Sequence, residues 1–263
     1  SGLSAIALSP DGELIATGAG YADDEIKLWH SRSGKLVANL EGHSHWVSSL
    51  EFFEDGRLLA SAGADQSVRL WDVQRKKSVR TIRGHHDEIK GLAISPDGST
   101  LAAGSVDGTI RLFDGLSNVR QEFYHHTAVG RGYNVSFTQD SQSILSLDQE
   151  NKVVLFDAAT LDTLEVIHEF GSNHTRATLS PGGRLLAIWG AGNDSYLYNF
   201  ETRTMIASIQ GFAALGFLEH GKWIFGLQIP GYGYSLYDTI SGDRIEITDS
   251  WTGRNTQLPA IEP

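Results

Sequence analysis

The sequence has no cysteine, so it can form no disulfide, thiolate zinc site, iron–sulfur cluster or cysteine nucleophile. It lacks a long hydrophobic run. The longest apolar stretches, such as Ile209–Leu218, are broken by glycine and fall short of the roughly 20 residues a membrane-spanning helix needs. It also lacks a basic excess: 21 lysines and arginines face 32 acids, a net −11, divided as −3 over residues 1–131 and −8 over 132–263. Such a surface repels a phosphate backbone, so neither nucleic acid nor membrane is expected as a partner. Proline is scarce at 6 residues, which argues against a disordered or linker protein. The chain opens Ser1-Gly2-Leu3 without methionine, basic n-region or apolar h-region, so no signal peptide is read and a cut-down cytoplasmic chain is expected.

Glycine is abundant at 29 residues, about one in nine against a usual share of roughly 7 %. Its positions follow an internal repeat. Ser9-Pro10-Asp11-Gly12 returns as Glu54-Asp55-Gly56, Ser95-Pro96-Asp97-Gly98, Gln139-Asp140-Ser141, Ser180-Pro181-Gly182-Gly183 and His220-Gly221. An aromatic keeps step at Trp29, Trp71, Phe113, Phe156, Tyr198 and Tyr237, with spacings of 42, 42, 43, 42 and 39. Two independent markers on one period define six repeats, about 1–41, 42–83, 84–126, 127–169, 170–210 and 211–248, with 249–263 as an extended tail.

Within a repeat apolar residues alternate, as in Val68-Arg69-Leu70-Trp71, which is the period of a strand and not of a helix. Turn residues cut the second repeat into four strands, roughly 48–53, 58–62, 67–71 and 78–82. A sheet of four such strands cannot bury both faces alone and must stack on its neighbours. The expected fold is all-β: a β-propeller of four-stranded antiparallel blades with six repeats visible.

Gly42-His43 followed by Trp71-Asp72, and Gly84-His85 followed by Phe113-Asp114, resemble the ends of WD repeats. The resemblance implies that His43, Ser61, Asp65 and Trp71 form a buried structural tetrad. Trp71 would donate to Ser61, Ser61 would bond one nitrogen of His43, and the other nitrogen would donate to Asp65. Repeat three keeps His85 and Asp107 but has Ala103 and Phe113, so its tetrad cannot close. Repeat one offers Thr17, Asp23 and Trp29, and its histidine position falls before residue 1. Repeats four to six keep an aromatic without a clear Gly-His pair. WD propellers commonly have seven blades, so the six repeats either close by packing alone or belong to a longer array with upstream sequence. The second is preferred because repeat one lacks its Gly-His.

Enzyme signatures are missing. There is no Walker loop, no Gly-x-Gly-x-x-Gly before a helix and no Gly-x-Ser-x-Gly elbow, so no catalytic residue and no cofactor is assigned. His85-His86-Asp87-Glu88 and the later His125-His126 offer neighbours on extended loops, whose side chains diverge, and no metal site is assigned. Asp23-Asp24-Glu25 lacks the spaced ligands and glycine of a calcium loop. The one basic strip, Arg75-Lys76-Lys77 with Arg80 and Arg83, falls at the third-to-fourth strand turn and on the exposed outer strand, where lysine discourages edge pairing.

Trp46 stands on the loop into a first strand, outside the core stripe begun by Val47. A loop tryptophan either packs over the neighbouring blade or serves as a binding hot spot. With Tyr21, His45, His86, Asp87, Glu88 and Arg131 it would rim the face carrying the histidine loops. The reading reached is a non-catalytic protein–protein interaction scaffold or sensor propeller, the binding part of a larger polypeptide, with a protein or peptide partner on that face. A periplasmic six-bladed propeller resembling the TolB type, or a peptidase-gating propeller, is the alternative. A metal-dependent propeller hydrolase is a third, disfavoured because the first strands are mostly small or apolar. Oligomeric state is not legible.

Overall fold

The computed structural model describes residues 3–20, 24–53, 55–114, 134–147, 152–169, 174–180, 182–190, 194–218, 221–228 and 234–247. Tyr21, Asp23, His125, His126, Arg131 and the 249–263 tail lie outside them. The chain divides into two compact units, Ser1–Thr178 and Leu179–Pro263. Each is built from antiparallel sheets, and no α-helix occurs among the described residues.

In the first unit β1 (Leu3–Leu8), β2 (Leu14–Ala19), β3 (Ile26–His30) and β4 (Leu36–Leu40) form one sheet in chain order. A second follows from β5 (Val47–Phe53), β6 (Leu58–Gly63), β7 (Ser67–Asp72) and β8 (Lys77–Arg83). The third sheet contains β9 (Ile89–Ile94), β10 (Thr100–Ser105) and β11 (Ile110–Asp114). The fourth is β12 (Asn134–Phe137), β13 (Ser143–Leu147), β14 (Lys152–Asp157) and β15 (Thr163–Glu169). The boundary between the units falls in β16 (His174–Leu179). The second unit holds β17 (Leu185–Gly190), β18 (Ser195–Asn199) and β19 (Thr204–Ile209), then β20 (Phe212–Leu218), β21 (Trp223–Gln228), β22 (Tyr234–Asp238) and β23 (Arg244–Ile247). Each repeat marker aromatic lies on a third strand, at the same place in its sheet.

Turn chemistry explains the punctuation. Ser9 Oγ donates to Asp11 (2.6 Å) and accepts the Leu14 N–H (2.9 Å), while Asp11 accepts the Glu13 N–H (3.0 Å). The same lattice recurs at Ser95 with Asp97 and at Thr138 with Asp140. Gly12 completes its turn at φ +72°, a conformation glycine adopts without strain. The acid after the marker aromatic caps the next turn: Asp72 accepts the Arg75 N–H, and Asp157 those of Ala159 and Thr160. Asn199 and Asp238 repeat this in the second unit.

Consecutive sheets of the first unit share cores. Ala16, Ile26 and Leu28 meet Val47, Leu50, Phe52 and Trp71; Ala60, Ala62, Val68 and Leu70 meet Leu92, Leu101, Ala103 and Phe113. Inner strands are tied by serine: Ser4 Oγ donates to the Val47 carbonyl and Ser48 Oγ to that of Ile89. The other face of the first sheet shows what stacking removes. Leu3, Ile6 and Leu8 are 69, 67 and 60 % exposed, whereas their counterparts Val47, Leu50 and Phe52 are 0, 8 and 9 %.

Close approach also fixes one glycine. A Cβ on Gly63 would lie 2.3 Å from the Trp46 carbonyl oxygen, a backbone atom that cannot swing aside, while a Cβ on Gly12 would meet nothing within 4 Å. Gly63→Ala is therefore expected to cost about 3 kcal/mol, and Gly12→Ala only the left-handed backbone penalty of about 1 kcal/mol. Denaturant midpoints compare them. Equal losses would mean that β5 is not seated against β6 in this way.

Candidate functional site

Sheet two assembles the four residues His43, Ser61, Asp65 and Trp71. His43 Nδ1 lies 2.9 Å from Asp65 Oδ2, His43 Nε2 lies 2.7 Å from Ser61 Oγ, and Trp71 Nε1 donates to the same Oγ at 2.8 Å. Asp65 also accepts from the Ser67 hydroxyl and the backbone N–H groups of Ser67 and Ser44. Burial opposes its ionised form, but the bond and charge of His43 and the Ser67 donors outweigh that and hold the carboxyl well below the usual range. An ionised Asp65 only accepts, so Nδ1 carries the proton, Nε2 accepts from Ser61, and Ser61 takes the indole N–H. The relay runs from the core to the loop and fixes where residues 43–46 sit.

Neighbouring sheets make less of it. In sheet one Trp29 Nε1 donates to Thr17 Oγ1 at 2.8 Å. In sheet three His85 Nδ1 lies 3.0 Å from Asp107, held to about pKa 2 by Thr109, His86 and His85 donors that overcome its burial. His85 Nε2, opposite Ala103, is buried with no hydrogen-bond partner. Burial lowers the His85 pKa, Asp107 opposes this, and the nearby Arg111 adds to it.

The histidine loops meet at Trp46. Its carbonyl accepts the Ala64 N–H (3.0 Å), and Val47 turns into the core. Its half-buried indole donates from Nε1 to Glu88 Oε1 at 2.7 Å, and Lys90 Nζ lies 2.7 Å from that same oxygen. One carboxylate thus clamps the tryptophan of one sheet to a lysine of the next. His45 stands edge-on to the indole with ring centroids 6.3 Å apart. His86 and Asp87 are exposed beside them, whereas His85 points inward. Of the rim residues read from the sequence, Trp46 meets His45 and Glu88, and His86 and Asp87 are exposed in the loop just before Glu88; Tyr21 and Arg131 lie outside the described residues. Among those described, no three His, Asp or Glu side chains group as metal ligands.

Lys90 and Glu51 escaped the sequence reading. Lys90 became visible only once Glu88 was seen to bridge it to Trp46. Glu51 lies on the inner strand β5, and burial raises its carboxyl to about 7 against the opposing pull of the Ile94 backbone N–H. A charge in the middle of VSSLEFF was the available signal.

Two measurements follow. Ser61→Ala strands a buried indole N–H and an imidazole nitrogen, and is expected to cost about 1–3 kcal/mol; an unchanged denaturant midpoint would refute the relay. For Glu51 the folded pKa lies above the unfolded one, near 4.3. The folded state then holds the extra proton, so stability declines as pH rises from about 4 to 7 and levels off above. Glu51→Gln should remove that part of the decline, seen as a flatter midpoint between pH 5 and 8; parallel profiles would contradict it.

With this geometry in place, similarity to known proteins narrows the assignment. A family model described as WD domain, G-beta repeat matches residues 1–30, 34–72 and 76–114, the first three sheets. The chain is 49 % identical over 53 residues to the nuclear distribution protein nudF of Aspergillus niger, covering 20 % of this chain and 11 % of that protein. It is 43 % identical over 58 residues to a periodic tryptophan protein 2 homolog of Schizosaccharomyces pombe, covering 22 % and 7 %. A Caenorhabditis elegans homolog of the latter is 39 % identical over 54 residues, covering 20 % and 6 %. The matches therefore span about a tenth or less of these relatives' length. They do not favour the TolB-type or peptidase-gating alternative. The matched repeats and the sheets that carry them identify WD repeats over residues 1–30, 34–72 and 76–114 of this chain.

Proposed function

We propose that the chain is a non-catalytic binding scaffold that holds a protein or peptide partner on the face carrying its histidine loops, with Trp46 at the centre. WD repeats in general serve as protein-interaction scaffolds. The observation that carries the finer reading is the clamp of Trp46, Glu88 and Lys90. A tryptophan packed only as core would lie inside the stripe of Val47; this one stays half-exposed, held in one orientation by a carboxylate of the next sheet.

A fixed aromatic beside His45, His86 and Asp87 suits recognition, because little side-chain freedom remains to be lost when a partner arrives. The buried relay below it keeps both loops in place. Among the described residues no three His, Asp or Glu side chains group here as metal ligands, and the reading needs none. Fusion to an effector in a larger polypeptide is part of the proposal, with the propeller as its sensor.

The test compares immobilised wild-type and Trp46→Ala chains in quantitative capture from cell extract, alongside their denaturant midpoints. Trp46→Ala should lower capture of the specific partner by about ten-fold or more, the loss of about 1.4 kcal/mol, with a midpoint shift under about 1 kcal/mol. Unchanged capture per folded molecule with a large fall in stability would make Trp46 a packing residue.

A further inference from the structure

We propose that the outer strand of the second sheet, β8, is a separate docking edge for an acidic extended peptide. Between Val73 and His86 the chain carries Arg75, Lys76, Lys77, Arg80 and Arg83 and not one carboxylate, in a protein of net charge −11; Arg75 pairs with Asp72 just before it (3.2 Å) and Lys76 donates to the Val37 carbonyl (3.1 Å), so Lys77 and Arg83 are the exposed cations of the strand itself. Lys76, Lys77 and Arg83 are exposed, and Val79 in their midst is 48 % exposed.

Edge protection by charge is the competing explanation, and the sibling strands argue against it. β4 reads LVANL and β19 reads TMIASI, with no charge at all; β15 reads TLEVIHE, with two glutamates. These outer strands hold the same place in their sheets and manage without a row of cations. The concentration on β8 is therefore not a requirement of the blade.

The strand also supplies more than charge. β8 ends its sheet, pairing only with β7 in the order β5-β6-β7-β8, so its outer backbone groups are not used by the sheet. A register shift falls between Leu70 and Trp71, opposite Val79, and from Arg80 to Arg83 the pairing is regular. A peptide strand joining that stretch gains a backbone ladder, acids to meet Lys77 and Arg83, and an apolar side chain to cover Val79. A long polyanion gains less. Away from the strip the chain is strongly acidic, and a nucleic acid reaching beyond one screening length of roughly 10 Å meets repulsion. The occupant we assign is a short acidic peptide.

A fluorescently labelled peptide of alternating glutamate and valine, about eight residues long, is titrated with wild-type chain and with two variants, Lys77→Glu/Arg83→Glu and the milder Lys77→Gln/Arg83→Gln. Binding should weaken on raising salt from about 0.05 to 0.5 M. It should fall about ten-fold or more in the first variant and by less in the second, while Trp46→Ala leaves it unchanged. That last arm separates this edge from the loop face. Equal binding by all chains, no binding at low salt, or tighter binding of a single-stranded oligonucleotide of equal charge would each overturn the proposal.

Discussion

A short antiparallel sheet with two apolar faces is unstable in water until both are covered, and the rest of the first unit follows from that constraint. Each sheet offers alternate residues to either side, so two periods are superposed: two along the strand and about 42 along the chain. The contrast between Ile6 and Leu50, at 67 and 8 % exposure, measures what covering one face removes. At about 25 cal/mol per Å² of apolar surface, stacking of this kind dominates the stability of any blade. Hydrogen bonds then decide how the stacked sheets are indexed. The serine bonds from Ser4 and Ser48 to the next inner strand do this, while the His43 relay ties a loop to its own sheet.

The relay also shows why the repeats diverge in steps. Its serine is useful only while an indole N–H and an imidazole nitrogen converge on it. Phe113 has no N–H to donate, and at the matching position Ala103 has no hydroxyl to receive one. His85 keeps Asp107 yet leaves Nε2 buried without a partner. In the fourth sheet the serine survives as Ser146 opposite Val154, next to Phe156, and its hydroxyl is likewise buried without a partner. Loss of one member thus removes the reason for the others, and packing alone carries those sheets. Sheet two, whose relay has all four members bonded, is the element on which the Trp46 loop stands.

Much of this was legible in the sequence because turns and alternation are local. Asp11 and Asp97 close their turns within five residues, and the strands read as 58–62 and 67–71 are Leu58–Gly63 and Ser67–Asp72. The tetrad was legible too, through resemblance to a repeat whose chemistry is closed within one blade. What escaped depends on contact between blades. Nothing near Trp46 in the chain announces that its indole will find Glu88, 42 residues on, or that Lys90 shares that oxygen. Gly63 closes the strand read as 58–62, and only the neighbouring strand shows that its lack of a Cβ makes room for the Trp46 carbonyl. Glu51 was lost among the apolar residues of an inner strand, where only the packed structure reveals the burial that raises its pKa.

Charge separates the two surfaces proposed for binding. On the loop face the acids are already engaged: Glu88 holds Trp46 and Lys90, Asp65 and Asp107 hold buried imidazoles, and Asp87 accepts the Glu88 N–H. On the proposed reading, recognition there would depend on shape around a fixed indole, and salt would affect it weakly. Along β8 the cations stand on exposed side chains, where each contact is weak and screened. Lys77, Arg80 and Arg83 on the strand, with Lys76 in the turn before it, still sum to a local field opposite in sign to that of the whole chain. If both proposals hold, a fixed aromatic and a charged edge on adjoining parts of one sheet would let a single blade address two segments of a partner, one by fit and one by field. Linking two such modest contacts raises affinity without requiring either to be strong.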